Sequence, residues 1–336
     1  MTDPAGGVER LAEATGAEFP HVARARELTA RQVAEVSAAL GDVEPVDGIG
    51  TCVFGSWARA ELSDESDDDW AVLVAGSFST ADDEVAHEVE AAQARLGTDD
   101  RAPGTQGLFG GPISVAELAG NIGLDADSNT NLTRRMLLLL ESRELHGDAR
   151  DEAVSTILGR YLNEGVKSFR PPRFLLNDVV RYWRTICVDF EGKAAGSAGT
   201  DPKWATRNAK LRTSRKLLFA GGLVPILLCH LVARDDMPGF LARWFDAPPL
   251  DRLSSAFLFV GAPDSGARAV AAYDRWLGLI SDPEVRSALR EVTYATREQS
   301  DLFAEIREIG RQFEGALGSL LFSSALGPVT RAYAIF

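Results

Sequence analysis

From Leu132 almost to its end the chain keeps a helical pattern, which confines any sheet to the residues before it. The pattern runs through Met136 to Leu140, Phe174 to Phe190 and Trp204 to Leu218, and ends in a long amphipathic segment around Asp282 to Leu321. In that last segment Leu302, Ile306, Ile309, Phe313 and Leu317 step by four, three, four and four, the stripe of one buried helix face. Pro171-Pro172 interrupts the pattern after Tyr161 to Val166, and a proline pair stops a helix because it removes amide donors and clashes with the preceding turn. The 336 residues are enough for two domains at roughly 100 to 200 residues each. The expectation is an α/β (α+β) domain over residues 1–170 and an all-α domain over 171–336, with Glu191 to Pro202 as a flexible loop inside the second.

Before Leu132 the period changes. Residues 8–41 predict two helices, with Thr29 as an N-cap within them. Gly50 to Phe54 is short and β-prone, Gly55-Ser56 is a turn, Trp57 to Leu62 is helix-like, and Trp70 to Val74 is a second strand after an acidic turn. Five glycines and two prolines between Gly97 and Pro112 predict a loop.

Thirty-five basic against 49 acidic residues give a net charge of −14, and 45% apolar residues are enough for a sizeable core, so a disordered or collagen-like chain is excluded. Such a surface repels phosphates, and a polynucleotide partner needs a local basic patch. Cys52, Cys187 and Cys229 sit among apolar neighbours, which favours buried thiols in a reducing compartment over a disulfide framework. With no apolar leader in MTDPAGGVERLAEA and no apolar run of about 18 residues, the expected location is the cytoplasm, away from membranes.

The chemistry concentrates between Phe54 and Val74. Glu61 to Asp69 holds six carboxylates in nine residues, which by itself is what a solvated acidic turn looks like. Along a strand, however, Asp67 and Asp69 share a face, about 6.5 to 7 Å apart. Two hard carboxylates suit Mg²⁺, which is usually held by one or two of them together with substrate phosphates. Gly55 lets backbone approach a ligand, and Ser56 offers a hydroxyl beside free N–H groups that favour phosphate. A run of like charge leading into a buried strand is unfavourable unless a cation neutralises it.

Gly-Ser, a variable segment, then Asp-x-Asp twelve positions after the glycine resembles the signature of the polymerase-β-like nucleotidyltransferase superfamily. The resemblance implies a mixed sheet, with Asp67 and Asp69 as catalytic metal ligands and Gly55 and Ser56 holding the triphosphate of an NTP, ATP foremost. It further implies transfer of a nucleoside monophosphate to an acceptor hydroxyl with Mg²⁺. Leu138-Leu-Leu-Glu-Ser-Arg-Glu-Leu-His-Gly-Asp148 is loosely similar to the segment after the catalytic part in signal-protein uridylyltransferases. Many members carry a third carboxylate on a later strand, and here only Glu117 and Glu141 are candidates, each read more simply as a helix-surface residue. A nucleotide-binding regulatory protein that no longer catalyses is therefore the alternative. The acceptor stays open among a protein, a small molecule, an RNA end and a nucleotide.

Lys203 to Lys216 holds six basic residues and no acidic one. Arg207, Lys210 and Ser214 step by three and four and so line one helix face, and Arg207 and Lys210 are expected to hold the β- and γ-phosphates. A polynucleotide acceptor and a solvated face are the competing readings. Arg173, Arg181 and Arg184, with Asn177, form a second basic surface on the preceding helix. His21, His87 and His146 have no ligand spacing, and Cys229 beside His230 reads as core packing.

Overall fold

The computed structural model describes residues 3–64, 66–76, 78, 82–96, 107–163, 165–196 and 199–334. The chain forms two compact units, one of Arg24–Lys167 and Arg234–Pro248, the other of Met1–Ala23, Ser168–Ala233 and Pro249–Phe336. The expected single division at residue 170 falls beside one of four passages between them, after Ala23, Lys167, Ala233 and Pro248.

The first unit holds a mixed four-stranded sheet in the order β3-β2-β1-β4, built from β1 (Ile49–Phe54), β2 (Trp70–Val74), β3 (Pro112–Ser114) and β4 (Ser142–Gly147). Strand β1 is antiparallel to β2 and β4, while β2 and β3 run parallel. Around the sheet lie α2 (Pro20–Leu40, from Arg24 onward), α3 (Asp83–Arg95), α4 (Val115–Gly120), α5 (Asn129–Leu140), α6 (Ala149–Tyr161) and α10 (Met237–Asp246).

Helices on both faces explain why every residue of β1 and β2 is buried. Ile49 and Val53 of β1, with Trp70, Val72 and Val74 of β2, form a core with Leu40 of α2 and with Val85 and Ala92 of α3. On that face the Thr51 hydroxyl donates to Glu88 of α3 at 2.5 Å. Gly50, of opposite parity, sits under Ala149 at the start of α6. Arg135 of α5 is fully buried, donating to both carboxylate oxygens of Asp127 (3.0 and 2.9 Å) and to the Tyr161 hydroxyl at 2.7 Å. These bonds hold the guanidinium charged despite its burial.

Several expectations change here. The helical pattern after Leu132 is interrupted by β4, whose place comes from pairing with β1. Trp57 to Ala60 forms turns instead of a helix, with Glu61 N bonded back to Ser56 O at 2.8 Å and Ala60 drawn into the left-handed region at φ 58°. Thr29 is no N-cap: it lies in mid-α2, buried, donating to Ala25 O at 2.7 Å and accepting from Leu62 N at 3.0 Å. Helix α6 stops at Tyr161, short of Val166. Of the expected glycine-rich loop, residues 97–106 lie outside the described residues, 107–111 are bends, and Pro112 opens β3.

The second unit is helical: α1 (Gly7–Thr15), α7 (Arg173–Gly196), α8 (Trp204–Arg212), α9 (Ser214–Leu228), α11 (Pro249–Phe259), α12 (Pro263–Ser281), α13 (Pro283–Arg290), α14 (Asp301–Leu321) and α15 (Gly327–Tyr333). Helix amides near the N-terminus find distant partners: Val8 N donates to Asp251 Oδ1 at 2.9 Å and Val22 N to Asp274 Oδ1 at 2.8 Å. The stripe read in the sequence is buried at Ile306, Ile309, Phe313 and Leu317. Trp204–Leu231 is long and apolar enough by composition to cross a bilayer, yet its most apolar window is 67% buried.

Three segments differ from expectation. Helix α7 continues to Gly196 through the first half of the expected Glu191 to Pro202 loop, of which residues 197–198 lie outside the described residues. Trp204 to Leu218 is broken at Thr213 (φ −121°, ψ −93°), so Ser214 starts a new helix and does not continue the face of Arg207 and Lys210. Asp282 to Leu321 is two helices, α13 and α14, separated by a Thr293–Thr296 turn.

Candidate active site

Because β1 is antiparallel to both neighbours, its C-terminal end meets the N-terminal ends of β2 and β4. Phe54 lies opposite Ser142, and Phe54 N donates to Asp69 O at 2.8 Å, extending the ladder one residue ahead of β2. This edge therefore gathers Gly55, Asp69 and Glu141, which are 14 and 86 positions away from Gly55 along the chain.

Gly55 has φ 62°, a left-handed conformation that side chains with a Cβ rarely adopt. A Cβ added there would lie 3.3 Å from Asp69 Oδ2, so the missing side chain leaves a small cradle against that carboxylate. The turn after it is closed by Arg59 N to Gly55 O at 3.0 Å and Glu61 N to Ser56 O at 2.8 Å. Trp57, the pivot of the turn, is buried and donates through Nε1 to Asp68 Oδ1 at 2.9 Å.

That bond sorts the acidic run by parity. Asp68 turns inward, sharing parity with buried Trp70, whereas Asp67 is exposed and Asp69 half-buried beside Gly55. Asp67 and Asp69 lie in the segment leading into β2, just ahead of the strand itself. Glu65, part of the same acidic turn, lies outside the described residues.

Sequence reasoning missed Arg59. Its guanidinium bonds Glu61 Oε2 at 2.7 Å and Glu141 Oε2 at 2.5 Å, tying the Gly-Ser turn to the residue that precedes β4. Glu141 is buried at the C-terminal cap of α5, so the reading of it as a helix-surface residue is corrected. A basic residue four places after the turn glycine is the sequence signal for this link. Glu117 is in the first turn of α4, where its amide bonds the Ser114 cap at 3.2 Å. Among the described residues no group of three or more His, Cys, Asp or Glu is arranged to hold a metal ion.

Arg207 and Lys210 belong to α8 in the helical unit, whereas Gly55, Ser56, Asp67 and Asp69 belong to the sheet unit. Arg207 pairs with Asp201 through a short Nη1–Oδ2 bond and a second contact at 3.4 Å. Lys210 is exposed. Of the other singled-out groups, Cys52 and Cys229 are buried and burial pushes both thiols up, while His230 Nδ1 bonds Leu227 O at 2.8 Å, as core packing requires. No known protein family, curated protein or solved structure matches this chain.

Proposed function

We propose that the chain is a nucleotidyltransferase that moves a nucleoside monophosphate from an NTP, ATP foremost, to an acceptor hydroxyl. The observation that carries this reading is the cradle at Gly55: a backbone turn without a side chain, opening directly on the Asp69 carboxylate. A phosphate seated against Gly55 and Ser56 would lie beside Asp69, with Asp67 two positions earlier and, like Asp69, of opposite parity to the buried Asp68.

The donor set fits Mg²⁺, which takes one or two carboxylates, keeps its waters and shares phosphate oxygens. Asp67 and Asp69 would hold it, and when bound such an ion supplies Lewis-acid stabilisation and lowers the pKa of an attacking hydroxyl. The chain's own residues do the positioning. Gly55 admits the phosphate, Ser56 donates to it, and Arg59 fixes the turn against Glu141. Arg207 and Lys210 remain proposed phosphate contacts, of which Arg207 would have to leave Asp201 to act.

Catalytically inactive nucleotide binding is the second reading, and the Arg59–Glu141 ion pair favours it. A carboxylate committed to a guanidinium is a poor base for a hydroxyl proton. Incubating the protein with α-phosphorus-labelled NTPs and Mg²⁺ separates the readings. Label transfer with pyrophosphate release supports the enzyme, and saturable binding without release supports the regulatory protein.

A further inference from the structure

The helical unit presents a basic face that nucleotidyl transfer does not use. Along α7, Arg173, Asn177, Arg181 and Arg184 are all exposed, at spacings of four, four and three, while Leu175, Leu176, Val179 and Tyr182 are buried. At 1.5 Å per residue the stripe is about 16 Å long. Residues 168–233 carry eleven Lys and Arg against four Asp and Glu in a chain of net charge −14, so the basic charge is concentrated here. Among the described residues Arg173 and Arg184 make no salt bridge, and Arg181 reaches Asp178 at 3.9 Å.

Exposed rings accompany the arginines. Phe169, four residues before α7 begins, is 61% exposed and holds φ 59°, fixed by its amide's bond to Val232 O at 2.9 Å. A bulky residue in the left-handed region is a genuine outlier. The Arg173 guanidinium lies 5.2 Å from the Tyr333 ring centroid, and Arg331, two residues earlier, lies 5.9 Å from that of Phe322, itself 49% exposed.

We propose that the exposed face of α7, with these neighbouring rings, binds single-stranded RNA. Cations in a row take successive phosphates, and exposed aromatic faces stack on bases that a duplex would keep paired. Asn177, set between Arg173 and Arg181, offers a donor and an acceptor to a ribose 2′-hydroxyl. The face is long enough for on the order of four nucleotides, the low end for a single-strand groove. The proposal is independent of nucleotidyl transfer, since binding is read without NTP or metal.

The test is fluorescence anisotropy of a labelled, mixed-sequence single-stranded RNA with the full chain, repeated across a KCl series. Saturable binding is expected, stronger than for the same sequence as DNA or as an RNA duplex. The triple variant R173A/R181A/R184A should weaken it at least about tenfold and flatten the logarithmic salt slope by about 2. Phe169→Gly should weaken it about fivefold or more with an unchanged slope, because a ring carries no charge. Glycine accepts this φ, so thermal unfolding of that variant should not fall. Absence of binding at low salt, full affinity in the triple variant, or equal affinity for the duplex, the DNA or poly-glutamate would overturn the proposal.

Discussion

The two units differ most in charge. The sheet unit carries 30 acidic and 14 basic residues, a net −16, whereas the helical unit carries 21 basic and 19 acidic, a net +2. The whole-chain value of −14 averages away a contrast that bears on chemistry. In the sheet unit a phosphate at the proposed Gly55-Ser56 site would need a cation with it, because carboxylates crowd that turn. In the helical unit phosphates can be met by arginines directly.

The largest expected effect tests the acidic side of this contrast. Asp69→Asn should lower metal-dependent transfer on the order of a hundredfold or more while leaving thermal unfolding intact or slightly raised, since one repelling charge is gone. Normal label transfer by a folded Asp69→Asn protein would remove the carboxylate pair from the site. Mg²⁺ alone should raise the unfolding midpoint of the wild type and do so less in this variant.

Next in size is a stability effect confined to the sheet unit. Arg135→Met takes the guanidinium away from the buried Asp127 carboxylate, which keeps the amide of Gly123 at 3.3 Å, a change that typically costs about 3 to 5 kcal/mol, to be read by urea unfolding. A loss below about 1 kcal/mol would mean that water reaches Asp127 once the guanidinium is removed.

Lys210→Ala probes whether the basic unit contributes to NTP binding at all. Loss of one charged phosphate contact should weaken NTP affinity about tenfold to a hundredfold with stability unchanged, measured by titration calorimetry. Unchanged affinity would leave α8 a solvated face. The smallest effect concerns thiols: near pH 8 an alkylating reagent should reach Cys187 first, because it is half-buried whereas Cys52 and Cys229 are fully buried. Early modification of Cys52, read by peptide mass spectrometry, would show that β1 opens locally.

How much of this was legible follows from where each element gets its stability. Strands β1 and β2 are continuous β-prone apolar runs buried on both faces, and the sequence reading of Gly50 to Phe54 and Trp70 to Val74 falls within one residue of both. Strand β4 is Ser-Arg-Glu-Leu-His-Gly, with no alternation and a single strongly apolar residue, and it pairs with β1 across a bulge between Thr51 and Cys52. Nothing local encodes that strand; its partner does. The same holds for the site. Gly55 and the spacing to Asp67 and Asp69 could be read along the chain, whereas Arg59 meeting Glu141 spans 82 positions and depends on the sheet. The helix expected at Trp57 failed because distant ties, Trp57 to Asp68 and Arg59 to Glu141, hold the segment as a turn and override a favourable composition, leaving Ala60 left-handed. The break at Thr213 is likewise local, with its hydroxyl bonded back to Ala209 O at 2.7 Å.

The four passages between units have a consequence for synthesis on the ribosome. Helix α1 emerges before its partners: the carboxylate that receives Val8 N is 243 positions later, and the one that receives Val22 N is 252 positions later. At about 5 to 20 residues per second the apolar side of α1, with Val8 and Leu11, waits on the order of ten to fifty seconds for its cover. The sheet unit waits too, because Arg234–Pro248 follows the intervening helical stretch. A nascent chain halted near residue 170 thus holds neither unit complete, and chaperone capture should peak at such lengths and fall once Asp274 has cleared the exit tunnel.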